Sequence, residues 1–224
     1  MSDMDARLAR IVEWIRASTD VAAGRGALVP VSGGSDSALC LWLCAQALPR
    51  GHVTAAYCGT NLRCRDWFAS LAPVHYLEAP DATPQHVEAA RWALMLSLSL
   101  EVRGWLVGTR NRTEETLGTF SLASRVATFL PLAGLWKSEV MAACAHVGVP
   151  GEILESSRRA DPSCGRPQEM AEIPFAQVDA FLRVRIGEAP LTSLEQLPAA
   201  TVDYLDGIWR RNRFKRALPL GGPS

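Results

Sequence analysis

Along the chain, five short apolar runs alternate with stretches whose apolar residues recur at helical spacing. The runs are Ala27 to Val31, His52 to about Cys58, Val74 to Leu77, Trp105 to Val107 and Phe129 to Leu132, each predicted as a buried strand. The helical stretches lie near 36–48, 65–72, 84–101, 112–118 and 137–147, and Leu8, Ile11, Val12 and Ile15 predict another at the start. Strict β–α alternation predicts an α/β fold: one doubly wound, parallel, five-stranded sheet with helices on both faces. After Val149-Pro150 the texture changes. Residues 156–168, polar and holding two prolines, read as a loop. Helices predicted at 175–184 and 200–213 then form a helical C-terminal extension. No internal repeat or second domain is visible, so residues 1–224 read as one domain.

Composition narrows the function classes. A chain of 224 residues, 48% apolar, can bury a core of its own. Lys plus Arg equals Asp plus Glu at 23 each, so no global charge draws it to nucleic acid or membrane. No apolar run reaches the roughly 18–20 residues of a membrane span, and the first residues lack a signal-peptide layout. A cytoplasmic location is expected. Six cysteines occur at positions 40, 44, 58, 64, 144 and 164. Without paired CxxC motifs a structural zinc site is not expected. Cys40 and Cys44 fall on an apolar helix; Cys58 and Cys64 flank a loop where they could pair or bind metal, although a reduced cytosolic thiol is the simpler reading. Cys164, in a polar Pro/Gly-rich stretch, is the thiol expected to be most exposed.

The chemistry is expected where the first strand runs into Ser32-Gly33-Gly34-Ser35-Asp36-Ser37 and a helix begins at once. Two glycines let backbone N–H groups close on an anion, the helix N-terminus adds partial positive charge, and serine hydroxyls donate further. Asp36 is out of place in an anion cradle unless a hard cation such as Mg²⁺ bridges carboxylate and phosphate. A lone Gly-Gly would fit an ordinary capped turn; the six-residue string at a strand-to-helix junction favours nucleotide or pyrophosphate. Only two of the 23 basic residues are lysine, Lys137 and Lys215, which suggests that compact ammonium groups are required at those positions.

Ser-Gly-Gly-Ser-Asp-Ser resembles the signature of the PP-loop ATP pyrophosphatases, and the chain is similar to the ammonia-dependent NAD synthetases from about Leu28 to Pro219. Gly108-Thr109-Arg110-Asn111-Arg112-Thr113-Glu114, Leu130-Pro131-Leu132 with Leu135-Trp136-Lys137, Ala160-Asp161, and Phe214-Lys215-Arg216 resemble later motifs of that family in order. The resemblance implies an adenine nucleotide alpha hydrolase-like fold with the first and fourth strands adjacent. It implies that Ser32, Gly33, Gly34, Ser35, Asp36, Ser37 and Thr109 contact ATP. Asp36 and Glu114 would hold Mg²⁺, Lys137 would contact ATP phosphate, and Arg91 and Lys215 would contact the acceptor. Asp36 and Lys137 are the expected catalytic residues.

The departures concern the acceptor half. Where the family has a stretch resembling Lys-Tyr-Gly-Asp-Gly-Gly, this chain reads Ser121 to Ala127, with Leu122 in place of lysine and Thr128 in place of an acidic residue. Arg110 stands where the family is often acidic, Arg159 where it has a small hydroxyl residue, and Phe214 where it has histidine. The reaction implied is amidation of deamido-NAD: pyrophosphate leaves ATP, an acyl-adenylate forms, and ammonia displaces AMP. The nitrogen would be free ammonia or come from a separate glutaminase, and family members resemble homodimers. Trp92 to Leu100 could serve that interface or be a core helix. Two other readings stand beside this one. The first is a PP-loop enzyme acting on a different carboxylate or a thiolation acceptor. That version would use Cys164 and a basic surface made by Arg210, Arg211, Arg213, Lys215 and Arg216. The second is a non-catalytic nucleotide-binding protein.

Overall fold

Four parallel strands pair through their main chains: β1 (Gly26–Pro30), β2 (Val53–Cys58), β3 (Val74–Leu77) and β4 (Gly104–Leu106), in the order β3-β2-β1-β4. In this computed structural model residues 2–83, 86–127, 129–159 and 168–217 are described. In register, Leu28 of β1 sits between Thr54 of β2 and Leu106 of β4. The central position of β1 explains its unbroken apolar run, since both of its faces are covered. The chain winds outward from β1 to β3, then crosses back to place β4 on the other side of β1. Strand order therefore reverses between β1 and β4.

Helices cover both faces. α1 (Asp3–Ser18), α2 (Ser35–Ala47), α3 (Arg65–Leu71) and the later α6 (Lys137–His146) enclose a core with Ile15, Val29, Leu39, Leu43, Phe68, Val140 and Cys144. On the opposite face α4 (Val87–Glu101) packs Met95 and Leu98 against Leu28, Ala56 and Leu106. α1 begins at a reciprocal cap: the Asp5 N–H donates to the Ser2 hydroxyl at 3.1 Å and the Ser2 N–H to the Asp5 carboxylate at 2.8 Å. α5 (Arg112–Leu117) follows β4.

Beyond α6 the chain is helical: α7 (Gly151–Arg158), α8 (Gln168–Glu172), α9 (Phe175–Arg185), α10 (Ala199–Arg211) and α11 (Arg213–Arg216). Leu117, Trp136, Val178, Phe181, Leu182, Leu205 and Ile208 make a second cluster, which fastens this extension over α5 and the start of α6.

The expected parallel sheet has four laddered strands among the described residues, and the run expected as its fifth, Phe129–Leu132, joins it by one parallel bridge, Val107 to Phe129, before the chain turns. Pro131 offers no N–H to continue a ladder. The loop expected at 156–168 begins inside α7, because Ile153 is fully buried against the main core and holds the helix to Arg158. Cys164 lies outside the described residues. The segment from Trp92 to Leu100 lies within α4, where Met95 and Leu98 are buried in the core and Leu94, Leu96 and Leu100 are exposed.

Candidate active site

The loop after β1 is shaped by its glycines. Gly33 has φ +77°, a left-handed conformation that a side chain disfavours. Its carbonyl accepts a hydrogen bond from Arg63 at 3.2 Å. Gly34 starts α2 without a side-chain cap, so the helix N-terminus faces the loop. The interior of the turn is set by hydroxyls: the Ser32 N–H donates to Ser37 Oγ at 3.2 Å, and Ser37 Oγ donates to the Gly34 carbonyl at 3.0 Å. The Ser35 N–H donates to Ser157 Oγ of α7 at 2.9 Å, and that hydroxyl donates on to the Ile153 carbonyl at 3.0 Å.

β4 ends against this loop. Asn111 caps α5: its Oδ1 accepts from the Glu114 N–H at 3.0 Å, while its own N–H donates to Glu114 Oε2 at 3.1 Å. Asn111 Nδ2 also donates to Asp36 Oδ1 at 2.7 Å. One fully buried asparagine thus bridges the two carboxylates that the sequence assigned to a cation. Burial and the neighbouring Asp36 carboxylate push Glu114 up to about 7 from an ordinary 4.5, against the pull of Lys137 and the Asn111 N–H. Two mutually repelling carboxylates fit a hard cation. Among the described residues no three His, Cys, Asp or Glu side chains converge as a metal cage. The pair is a donor set that could hold Mg²⁺, which takes its other oxygens from phosphate and water.

Lys137 opens α6, and its Nζ donates to Ser35 Oγ at 2.8 Å and to Asp36 Oδ2. Ser32–Ser37, Asp36, Glu114 and Lys137 are therefore gathered at the carboxyl edge of β1 and β4, where strand order reverses. Thr109 lies on the same edge, part-buried between the Val107 bridge and the Asn111 cap.

The expected acceptor residues lie elsewhere. Lys215 Nζ donates to the Phe120 carbonyl at 2.7 Å and sits 5.5 Å from that ring's centroid. Arg110 and Arg125 stack on the same ring at 4.7 and 5.0 Å. Arg110 is buried and paired with Glu115 at 2.9 Å. Burial lowers the pKa of both Arg110 and Lys215. Arg91 pairs with Glu88 at 2.8 Å and acts electrostatically on Cys58, at the end of β2. Thr128 and Ala160-Asp161 lie outside the described residues. Arg159 is exposed beside Glu155, and Phe214 is exposed.

Sequence reasoning missed three contributors. Asn111 was visible only as a motif letter, Ser157 had no motif at all, and Asp179 lies on a helix of the C-terminal extension to which no role was assigned. Cys40, Cys44, Cys58, Cys64 and Cys144 are free thiols, so Cys58 and Cys64 do not pair. Burial pushes Cys44 up to about 12, which suits a core residue.

A parallel sheet with a helix N-terminus after β1, two carboxylates and a lysine at its switch point is the arrangement of an α/β nucleotide-binding site. Residues 81–219 match the NAD synthase family, and the chain belongs to that family. It is 28% identical to the NH₃-dependent NAD⁺ synthetase of Methanosarcina acetivorans, with 97% of each chain covered. It is 29% identical to that of Hyperthermus butylicus, covering 93% of this chain and 87% of the relative. Two solved structures share its fold over the whole of both chains, each at TM-score 0.76 and 19% identity. They are the NH₃-dependent NAD synthetase of Campylobacter jejuni and the NMN synthetase of Francisella tularensis. The glutamine-dependent NAD⁺ synthetase of Acinetobacter baumannii aligns at TM-score 0.55, with 47% of that chain covered. No described helix is long and apolar enough to cross a membrane.

Proposed function

We propose that the chain amidates the nicotinate carboxylate of deamido-NAD with ATP and ammonia. The carrying observation is the Asp36–Asn111–Glu114–Lys137 constellation beside the Ser32–Ser37 loop. The acceptor carboxylate attacks the α-phosphorus of ATP, a new P–O bond forms, the α–β bridge breaks, and pyrophosphate leaves. Ammonia then attacks the acyl carbon, the C–O bond to AMP breaks, and nitrogen loses a proton to solvent. Asp36 and Glu114 would hold Mg²⁺, whose chemistry is to neutralise charge on the departing pyrophosphate. Lys137 is positioned to exchange its Asp36 and Ser35 partners for phosphate oxygen. The loop serines, its amides and Thr109 orient ATP, so the residues act by placement and charge. Free ammonia is the expected donor, or a separate glutaminase.

Lys215 supports an acceptor site around Phe120, where it lies with Arg110 and Arg125 about one ring. Cationic side chains suit an anionic acceptor. Arg91 is the second acceptor contact in this reading. Of the basic tail that the thiolation reading uses, Lys215 and Arg216 donate to the Phe120 and Trp209 carbonyls at 2.7 Å each, while Arg210, Arg211 and Arg213 are exposed.

One alternative acceptor has a specific basis. Leu122 and Phe214 replace polar residues of the dinucleotide enzymes, and the same fold serves an NMN synthetase. Purified protein with ATP, Mg²⁺ and ammonium should form AMP and NAD one-to-one from deamido-NAD. Faster turnover of the deamidated mononucleotide would move the acceptor to NMN chemistry. ATP binding without amide formation from either, at millimolar acceptor, would overturn both.

A further inference from the structure

Lys137 is placed by two buried residues that do not touch the loop. Its backbone N–H donates to Thr113 Oγ1 at 2.8 Å, and the next amide, Ser138 N–H, donates to Asp179 Oδ2 at 2.9 Å. The Thr113 hydroxyl in turn donates a hydrogen bond to Asp179 Oδ1. Thr113 is on α5, one residue before Glu114; Asp179 is on α9. Their exposures are 5% and 3%. A buried carboxylate is costly unless its oxygens are engaged. Here both are, and they lie at the N-terminal end of α6, where negative charge is favoured. Trp136 closes the other side, its N–H donating to Glu139 at 2.7 Å.

We infer that Thr113 and Asp179 are positioning residues for ATP binding: they hold the root of Lys137 in register with Glu114 and Asp36. The inference rests on the phosphate role proposed for Lys137. The lysine head reaches Ser35 and Asp36 from one end of α6, so a shift of that helix end moves the ammonium by the same amount. Misplacement of a charged group by about 1 Å can cost on the order of a hundredfold in rate. Through neighbouring residues Thr113 and Glu114 the same latch sets the spacing between the lysine and the cation-binding helix. A residue important only to packing would lack this dependence on Lys137.

The test is a double-mutant cycle read as the Kd of α,β-methylene-ATP with Mg²⁺, which requires no acceptor. Asp179→Asn should weaken binding about tenfold in the wild-type background and less than twofold in a Lys137→Ala background. Equal losses in both backgrounds, or no loss in either, overturn the latch. If Asp179→Asn fails to fold by circular dichroism, Thr113→Val runs the same cycle, and Thr113→Ser should recover most of the affinity it loses. A protein that binds the analogue yet makes no NAD removes the amidation reading and leaves the latch standing. One that binds no analogue removes both.

Discussion

Asp36 shows how a residue's meaning changes when its neighbours are known. In the sequence it was a carboxylate out of place in an anion cradle. In the structure it is gripped by Lys137 and by Asn111 at 2.7 Å, with Glu114 bridged through the same asparagine. Asp36→Asn should leave the melting temperature within a few degrees and lower Mg²⁺-dependent kcat by about a hundredfold or more, the scale of losing one key electrostatic contact. Near-normal turnover at ordinary Mg²⁺ would remove the cation assignment. Lys137 is constrained differently. Its ammonium serves Ser35 and Asp36 together from a part-buried position, and a planar guanidinium cannot present donors to that corner in the same way. Lys137→Arg should therefore reduce kcat/KM for ATP by well over about threefold, despite unchanged charge. A smaller loss would reduce the scarcity of lysine to a compositional accident.

At the scale of elements, the site is made where helices begin. α2 starts uncapped at Gly34, α5 starts at Asn111 with Glu114 in its first turn, and α6 starts with Lys137. These starts were legible because each follows an apolar run or a Pro-Leu segment, and Asn111 adds a side-chain cap at the start of α5. The turn ahead of α2 depends on Gly33 at φ +77°. A Cβ there meets nothing closer than Arg63 Cβ at 3.4 Å, so the strain is in the backbone and not in packing. Gly33→Ala should lower unfolding free energy by about 1–2 kcal/mol and weaken ATP binding; urea unfolding and calorimetry read the two effects. An unchanged protein would mean that the loop has another conformation available. The run Phe129–Leu132 meets the sheet at a parallel bridge on Phe129. A strand gives every second N–H to one neighbour, and Pro131, two residues after Phe129, has none to give.

For the whole molecule, the outstanding surface is α4 with the short 3-10 helix at Leu122–Val126 packed against it. Leu94, Leu96, Leu100, Leu122 and Val126 are all exposed there, Leu100 at 73%. Exposed apolar side chains of this kind are a candidate association surface for the homodimer that the resemblance implies. Light scattering after size exclusion should give twice the chain mass for the native protein, and Leu100→Glu with Leu122→Glu should give monomers of unchanged helicity. A monomeric native protein would return these residues to the free surface.

By itself the amino-acid pattern determined what depends on local order. Strand β1, the glycine-serine turn, the helix starts and the alternation that forces a parallel sheet all arise from residues close together in the chain. Their apolar periodicity and capping chemistry act over a few residues. What only the tertiary structure decided depends on groups far apart: Asn111 on Asp36 across 75 positions, Asp179 on Thr113 across 66, Ser157 on Ser35 across 122. None of these pairings has a local signature, because a hydroxyl, an amide or a carboxylate reads the same in sequence whether it meets water or a buried donor. Burial makes them matter, since an engaged polar group inside the protein holds its geometry where an exposed one exchanges with solvent.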